Sequence, residues 1–368
     1  MRRLLVTGGA GFIGVNFIHY WLGHHPDDTL CVLDCLSYAG NRNSLAAAEG
    51  SPRFTFVHGD IGDAGMVEKL LREGAIDTIV HFAAESHVDR SILGPDAFVE
   101  TNIVGTHSLL KVARKVWLGD PDKPLPHRFH CVSTDEVYGT LGPDDPPFTT
   151  ASPYAPNSPY AATKAASDHL VRAYHHTYGL QTTISNCTNN YGPYQFPEKL
   201  IPLMIVNLLD GKALPIYGDG RNIRDWLYVE DHCRGIEIIL DRGRVGQTYV
   251  LGGDCERRNI DIVHLLCRLV DEAFSEDPSL AQRFPNAPAA RGEPSVSRIS
   301  FVKDRPAHDQ RYAIDGTEIA TELGYRPDES FDNGIRRTLR WYLENETWWR
   351  AIMDGSYRDW IERQYAAR

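Results

Sequence analysis

The sequence predicts an α/β protein built on a Rossmann-type, doubly wound parallel sheet, with a smaller C-terminal α/β lobe that would cover a ligand. Short apolar runs alternate with longer amphipathic segments as far as residue 134, which is typical of successive βαβ units. A glycine-rich turn follows the first apolar run, where such a sheet passes from strand to helix. Beyond residue 187, loops rich in Asn, Gly and Pro separate shorter elements, which indicates a second lobe.

The apolar runs and their flanking residues define the elements in chain order. The runs predict strands over residues 4–8, 30–34, 54–60, 77–83 and 128–134. The spacing of apolar residues predicts three helices, one opening after Gly11, one from about Pro95 to Lys115 and one from about Ser158 to Tyr178, followed by a strand at 182–186. Residues 334–368 are predicted to form a helical tail, in which we expect Trp348, Trp349 and Trp360 to be packing anchors.

The charge balance excludes several classes of partner. Lys and Arg number 38 against 49 Asp and Glu, a net charge of −11, so the surface would repel a nucleic acid or an anionic membrane. No run approaches the roughly 20 apolar residues of a membrane helix, and Met1 to Arg3 lead directly into a strand, so we expect a cytoplasmic protein. The seven cysteines are scattered without a CxxC pair, which favours reduced thiols and no metal site.

The glycine-rich turn has the context of a dinucleotide-binding loop. Gly8, Gly11 and Gly14 follow the first strand and open the first helix, so that backbone N–H groups and the helix N-terminus can face a pyrophosphate. Asp34 ends the second strand 20 residues after Gly14, where a carboxylate can bind ribose hydroxyls and would repel a 2′-phosphate. The loop therefore predicts NAD rather than NADP, the alternative being a structural turn beside a surface Asp.

Tyr160 and Lys164 lie near the start of the third predicted helix, four residues apart and on one face. A cation beside a phenol favours the phenolate, which can accept a proton near neutral pH. Together with the glycine loop and with Ser133 and Thr134 closing a strand, this pair resembles the extended branch of the short-chain dehydrogenase/reductase superfamily. The resemblance implies that Tyr160 and Lys164 remove a hydroxyl proton as hydride leaves for NAD, while Thr134 hydrogen-bonds the same oxygen.

Two adjacent carboxylates, Asp135 and Glu136, come directly after Thr134. A simple hydride transfer needs neither of them. Removal of water beside a carbonyl needs both, because one group takes the proton alpha to the ketone and the other protonates the departing hydroxyl. The pair therefore indicates a dehydratase, the alternative being that the carboxylates cap the next turn.

Longer strings narrow the resemblance to the dTDP-glucose 4,6-dehydratase family over nearly the whole chain. These strings are AAESHVDRS at 83–91, NNYGP at 189–193, PEKLIP at 197–202, LPIYG at 214–218 and IRDW at 223–226. The resemblance implies conversion of dTDP-glucose to dTDP-4-keto-6-deoxyglucose and water, with NAD as a resident cofactor. It makes Asp135 the acid toward the C6 hydroxyl and Glu136 the base at C5. The implied catalytic residues are Thr134, Asp135, Glu136, Tyr160 and Lys164.

The same resemblance implies the binding residues. Those implied for the cofactor are Gly8, Gly11, Phe12, Ile13, Gly14, Asp34, Ser37, Asp60, Ile61, Phe82, Ala83, Ala84, Thr101, Tyr160, Lys164 and Asn190. Those implied for the nucleotide sugar are Ser86, Thr134, Asn189, Lys199, Leu200, Pro215, Ile216, Tyr217, Arg224, Asn259, Arg305 and His308. A diphosphate needs Arg or Lys in an otherwise acidic protein. For Arg224 the competing interpretation is a surface ion pair with Asp225.

Other interpretations stay open at this point. The chain departs from the family at Ala307, where relatives usually have Gly, in a loop where a positive φ would favour glycine. It also departs in the active-site helix, which has YAATK at 160–164 where many relatives have serines. The function could instead be dehydration of a UDP-, CDP- or GDP-hexose, C4 epimerisation or decarboxylation, or NAD-dependent regulation without catalysis. We expect residues 1–187 to form the NAD-binding domain, to which the chain later returns, and 188–368 mainly the nucleotide-sugar lobe. We also expect a homodimer, formed through the helices near 95–115 and 157–178.

Overall fold

The centre of the computed structural model, which describes residues 1–120, 122–353, 357, 359–361 and 364, is a seven-stranded sheet. Its strand order is β3-β2-β1-β4-β5-β6-β10, and every pairing within it is parallel. The twelve strands are β1 Arg3–Thr7, β2 Thr29–Asp34, β3 Phe54–His58, β4 Thr78–His81, β5 Arg128–Thr134, β6 Thr182–Cys187, β7 Asn189–Tyr191, β8 Leu214–Tyr217, β9 Ile223–Tyr228, β10 Thr248–Leu251, β11 Glu256–Arg258 and β12 Ile299–Val302.

The large sheet confirms the predicted fold class. Leu4, Leu5 and Val6 of β1 are completely buried, because helices cover both faces of the sheet and every side chain of a central strand then meets apolar neighbours. All six strands predicted in the first half are present, with ends shifted by at most two residues. The first six strands of the order, 3-2-1-4-5-6, are those of a doubly wound dinucleotide-binding sheet.

Fourteen α-helices occur in the described residues. They are α1 Phe12–His24, α2 Ala46–Glu49, α3 Ala64–Glu73, α4 Val88–Leu93, α5 Asp96–Phe98, α6 Thr106–Trp117, α7 Pro159–Tyr178, α8 Leu200–Asp210, α9 Val229–Arg242, α10 Asn259–Glu276, α11 Leu280–Arg283, α12 Thr317–Leu323, α13 Phe331–Glu344 and α14 Glu346–Ile352. The third predicted helix is α7, and Ser158 caps it by accepting a hydrogen bond from Ala161 N. Within the described residues, no helix combines the length and apolar character needed to cross a membrane.

The helix predicted from about Pro95 to Lys115 is not a single α-helix. Residues Val99–Gly105 form a π-helix between α5 and α6. Its extra residue per turn shifts the buried face, so Asn102 is 1% exposed while Val104 is 48% exposed. A prediction based on α-helical period cannot detect this change of period.

The second half builds smaller sheets beside the carboxyl edge of the large one. β7, β9 and β11 form one sheet, and β8 pairs with β12 in another. Helices α8, α10 and α13 pack in a shared apolar core against these strands. The chain returns to the large sheet at β10, which pairs with β6. The boundary at residue 187 stays a prediction, and residues 354–356, 358, 362–363 and 365–368 of the predicted tail lie outside the described residues.

Candidate active site

Two adjoining cavities open where β1, β4 and β5 end, at the edge where strand order reverses and where open α/β sheets bind ligands. The first cavity has a volume of about 300 Å³ and the second of about 170 Å³. Glu136, Asn189, Glu198 and Lys199 line both. One elongated ligand-binding region therefore joins the large sheet to the second half of the chain.

The first cavity contains every residue predicted to contact the cofactor. They are Gly8, Gly11, Phe12, Ile13, Gly14, Asp34, Ser37, Asp60, Ile61, Phe82, Ala83, Ala84, Thr101, Tyr160, Lys164 and Asn190. The side-chain amide of Asn190 is also bonded within the protein, since Nδ2 donates to Thr188 O at 2.9 Å and Oδ1 lies 3.0 Å from His232 Nδ1.

The glycine loop fits a dinucleotide because its backbone leaves no room for side chains. Gly8 has φ +69°, and a Cβ there would lie 2.5 Å from Ala83 N. A Cβ on Gly14 would lie 2.4 Å from Gly8 O, so Gly14 packs closely against the loop itself. Gly11 begins α1 without a side-chain cap, which leaves the first N–H groups of the helix available to an anion.

Asp34 is positioned to bind ribose hydroxyls. It is buried at the end of β2, and its two oxygens accept hydrogen bonds from Ala10 N and Leu36 N, both at 2.8 Å. Each carboxylate oxygen can accept a second bond, and burial raises the pKa of the group while the two backbone bonds oppose that shift. The position therefore fits the predicted contact with the adenosine ribose of NAD.

Tyr160, Lys164 and Thr134 all line the first cavity. Lys164 Nζ donates to Val132 O at 2.8 Å, which ties α7 to the end of β5. Burial raises the pKa of Tyr160 well above its usual value, the neighbouring Glu136 raises it further, and a hydrogen bond with Thr134 opposes the shift. The lowering expected from Lys164 therefore does not set the direction of the shift in this structure.

Asp135 and Glu136 form the 3₁₀ turn Asp135–Tyr138 after β5. The turn is capped by Thr134, whose Oγ1 accepts a hydrogen bond from Glu136 N at 3.3 Å, so the interpretation of the carboxylates as its caps is wrong. Asp135 is 1% exposed and accepts a hydrogen bond from Thr134 Oγ1 at 3.3 Å. Its other oxygen is buried without a partner among the described residues.

The surroundings of the two carboxyl groups differ in charge. Burial raises the pKa of Asp135 well above its usual value, and the adjacent Glu136 and Asp225 raise it further. Burial also raises the pKa of Glu136, but there Arg305, Lys199 and Arg224 oppose the shift. The pKa of Asp135 is therefore the more strongly raised of the two, which suits Asp135 to the role of acid and Glu136 to that of base.

The second cavity collects most of the residues predicted to bind the nucleotide sugar. It is lined by Asn189, Lys199, Leu200, Pro215, Ile216, Tyr217, Arg224, Asn259, Arg305 and His308, while Ser86 and Thr134 line the first cavity. Buried polar atoms of Asn189, Asn259 and Arg305 have no partner in the part of the chain that the structure describes. Such atoms are rarely left unsatisfied in folded proteins, which indicates that a polar ligand completes the site.

Of the cations of this cavity, Arg224 is buried and Lys199 and Arg305 are partly buried. Arg224 donates to Ile223 O at 2.7 Å and to Asp309 O at 2.9 Å, while Asp225 accepts from Gly253 N and Cys255 N. The competing surface ion pair is therefore wrong, because consecutive residues of β9 point to opposite faces. Lys199 Nζ donates to Ser86 O at 3.0 Å, and burial lowers the pKa of this ammonium.

Glu198 is a cavity residue that the sequence analysis missed. It is 5% exposed and accepts hydrogen bonds from Tyr38 OH at 2.9 Å and Arg90 Nε at 3.3 Å. The sequence signal that could have identified it is its position between Pro197 and Lys199, within the string PEKLIP at 197–202 that the chain shares with the family. Ala307 has φ +50°. The position where relatives usually have Gly therefore adopts the left-handed conformation, although it carries alanine in this chain.

A Rossmann-type sheet with a dinucleotide loop and a paired Tyr160 and Lys164 defines the extended short-chain dehydrogenase/reductase class. Residues 5–338 match the family model described as GDP-mannose 4,6 dehydratase. The chain is 53% identical over 359 residues to a dTDP-glucose 4,6-dehydratase of Xanthomonas campestris pv. campestris (strain B100), covering 97% of this chain and 98% of that protein. It is 50% identical over 375 residues to dTDP-glucose 4,6-dehydratase 1 of Escherichia coli (strain K12), covering 100% and 99%.

A solved structure gives the same result. The crystal structure of DesIV, a dTDP-glucose 4,6-dehydratase from Streptomyces venezuelae with NAD bound, has a TM-score of 0.84 and 50% sequence identity, covering 95% of this chain and 99% of that one. The chain belongs to the dTDP-glucose 4,6-dehydratase family. The family resemblance predicted from the sequence is confirmed.

Proposed function

We propose that the protein is an NAD-dependent dTDP-glucose 4,6-dehydratase, a hydro-lyase that forms dTDP-4-keto-6-deoxyglucose and water. The observation that carries this proposal is the pair of carboxyl groups, Asp135 and Glu136, placed beside Tyr160 in surroundings of different charge. A C4 epimerase or decarboxylase needs the tyrosine and the cofactor but has no use for an acid and a base at C6 and C5.

The nucleotide sugar lies across both cavities in this proposal. Lys199, Arg224 and Arg305 bind the diphosphate, because buried cations compensate its charge in a protein whose net charge is −11. Pro215, Ile216, Tyr217 and Asn259 surround the base and ribose. Asn189 lines both cavities and Ser86 lines the first, and both contact the sugar or the diphosphate.

The reaction begins at C4 of the glucose. Bound NAD supplies the acceptor for the C4 hydrogen, the donor for its return, and in its oxidised form a positive charge that favours a phenolate. Tyr160 takes the proton of the C4 hydroxyl, and Thr134 hydrogen-bonds the same oxygen. Lys164 holds α7 against β5 and stabilises the negative charge that forms on Tyr160.

Oxidation at C4 makes the C5 proton acidic. Glu136, whose raised pKa is opposed by the surrounding cations, removes that proton. Asp135, whose pKa is raised well above its usual value by burial and by its acidic neighbours, gives its proton to the C6 hydroxyl, and water leaves. Return of hydride to C6 and of a proton to C5 completes a cycle without net oxidation.

The proposal also includes a cytoplasmic homodimer. Val99 is 41% exposed and Val104 is 48% exposed on the helical segment expected to pair with a second copy. Leu110 of the same segment is completely buried in the core and is therefore not available to such an interface. Sedimentation that shows only a monomer at micromolar concentration would remove this part of the proposal.

The enzymatic proposal has a direct test. The purified protein is incubated with dTDP-glucose and NAD, and the alkaline absorbance of a 4-keto sugar is followed, with UDP-, CDP- and GDP-hexoses alongside. Product from dTDP-glucose above the other substrates supports the proposal. No product from dTDP-glucose overturns it, and faster turnover of another nucleotide sugar reassigns the substrate.

A further inference from the structure

The C-terminal segment places one polar side chain in the wall of the second cavity. Gln364 lines this cavity and is 5% exposed. Its Nε2 donates to Tyr217 OH at 2.8 Å. Its Oε1 is buried and has no hydrogen-bond partner among the described residues. A buried amide with one end bonded and the other unsatisfied indicates an acceptor that awaits a ligand.

Aromatic neighbours fix this segment against the cavity wall. The Trp360 ring lies 4.0 Å from the Arg90 guanidinium and 5.4 Å from the His87 ring, and His87 itself lines the second cavity. Tyr357 OH donates to Pro197 O at 2.8 Å. Trp360 therefore contacts a residue of the cavity wall, as Gln364 does.

The neighbours of Gln364 indicate which part of a ligand it meets. Pro215, Ile216 and Tyr217 form an apolar and aromatic wall, which suits a flat base. The diphosphate instead requires the cations of the same cavity. A thymine or uracil ring presents an N–H donor between two carbonyl groups, whereas cytosine presents an acceptor at that ring position.

We infer that Gln364 is a nucleotide-binding residue whose Oε1 accepts a hydrogen bond from the ring N–H of a pyrimidine-2,4-dione base. This inference rests on the proposed function, because it assumes that a nucleotide sugar occupies the second cavity. It adds a contact that distinguishes thymine from cytosine, supplied by the C-terminal segment.

The test compares dTDP and dCDP as ligands of the NAD-loaded protein in calorimetric titrations. Gln364→Met keeps the length of the side chain and removes both polar groups. We expect the Kd for dTDP to rise about tenfold, as for loss of one hydrogen bond, and the Kd for dCDP to change less than about twofold, which narrows the preference of the wild type for dTDP. The control is Arg350→Gln, a residue that pairs with Asp210 and Glu346 away from the cavity, for which both affinities should equal those of the wild type.

Three results would overturn the inference. An unchanged Kd for dTDP in the Gln364→Met protein would show that the amide does not touch the ligand, and an equal loss for dTDP and dCDP would place its contact on the ribose or diphosphate. Failure of the wild type to bind either nucleotide would remove the proposed function together with the inference. Should Gln364→Met lower the melting temperature, Gln364→Asn retains the amide but shortens it, and the same loss for dTDP is expected.

Discussion

Replacing Asp135 with Asn separates oxidation from elimination. Asn has the size of Asp and cannot donate a proton as a carboxylic acid does. Asp135 is 1% exposed, and burial with acidic neighbours raises the pKa of its carboxyl, so an uncharged amide suits the same surroundings. An Asn oxygen can also accept the Thr134 hydrogen bond, so we expect the free energy of unfolding to change by less than about 1 kcal/mol.

The catalytic effect should be much larger. A positioned general acid contributes about a hundredfold to ten-thousandfold in rate, so we expect dehydration to slow by about that factor in the Asp135→Asn protein. Oxidation at C4 needs Tyr160 and not Asp135. NADH absorbance should therefore rise within the first turnover and persist, because the oxidised sugar cannot lose water.

The assay follows NADH absorbance in a stopped-flow instrument and 4-keto-6-deoxy product in quenched samples. Asp144→Asn is the matched control, since it makes the same chemical change at an exposed position away from the cavities. Product formation by Asp135→Asn at the wild-type rate would refute the assignment of the acid. An equal loss of NADH and product formation would show that Asp135 acts in oxidation or in binding instead.

Three further outcomes follow from named residues. Ala307→Gly should raise the free energy of unfolding in urea by about 0.5–1 kcal/mol, because φ +50° strains alanine more than the added chain entropy of glycine costs; a decrease would contradict this. Burial lowers the pKa of His130 and of His232 to about 3. Below about pH 6.5 the unfolded chain therefore binds protons that the folded protein does not. Each histidine should then lower the free energy of unfolding by about 1.4 kcal/mol for each unit by which the pH falls. Unfolding free energies that stay constant from about pH 7 to 5 would contradict that prediction. Lys199→Met should raise KM for the nucleotide sugar about tenfold. It should also shift the acidic limb of the pH–rate profile to higher pH, because Lys199 opposes the raised pKa of Glu136. An acidic limb that does not move would show that Lys199 has no effect on the ionisation of Glu136.

The sequence allowed much of the fold to be predicted because a parallel sheet leaves a strong local pattern. Strands such as β1 are buried on both faces and therefore appear as short continuous apolar runs. The π-helix Val99–Gly105 was missed because its apolar residues satisfy an α-helical spacing equally well. Its bulge depends on packing that brings Asn102 Nδ2 to Thr163 Oγ1 at 2.9 Å, a contact distant in sequence.

The candidate site also has features that the sequence could predict and features that it could not. Gly8, Asp34 and Tyr160 could be predicted because each belongs to a short motif with fixed spacing. The direction of the pKa shift at Tyr160 could not, since it depends on burial and on Glu136 from another element. Gln364 lies in no motif, and its role depends on a segment that reaches the second cavity only in the folded chain.

The most direct test of the account uses dTDP-glucose that carries deuterium at C4. Oxidation at C4 followed by elimination and return of the same hydrogen predicts that the deuterium is recovered at C6 of the 4-keto-6-deoxy product, within the same sugar molecule. Mass spectrometry and NMR of the product locate the label. Deuterium absent from C6, either retained at C4 or lost to the medium while product still forms, would contradict the central claim.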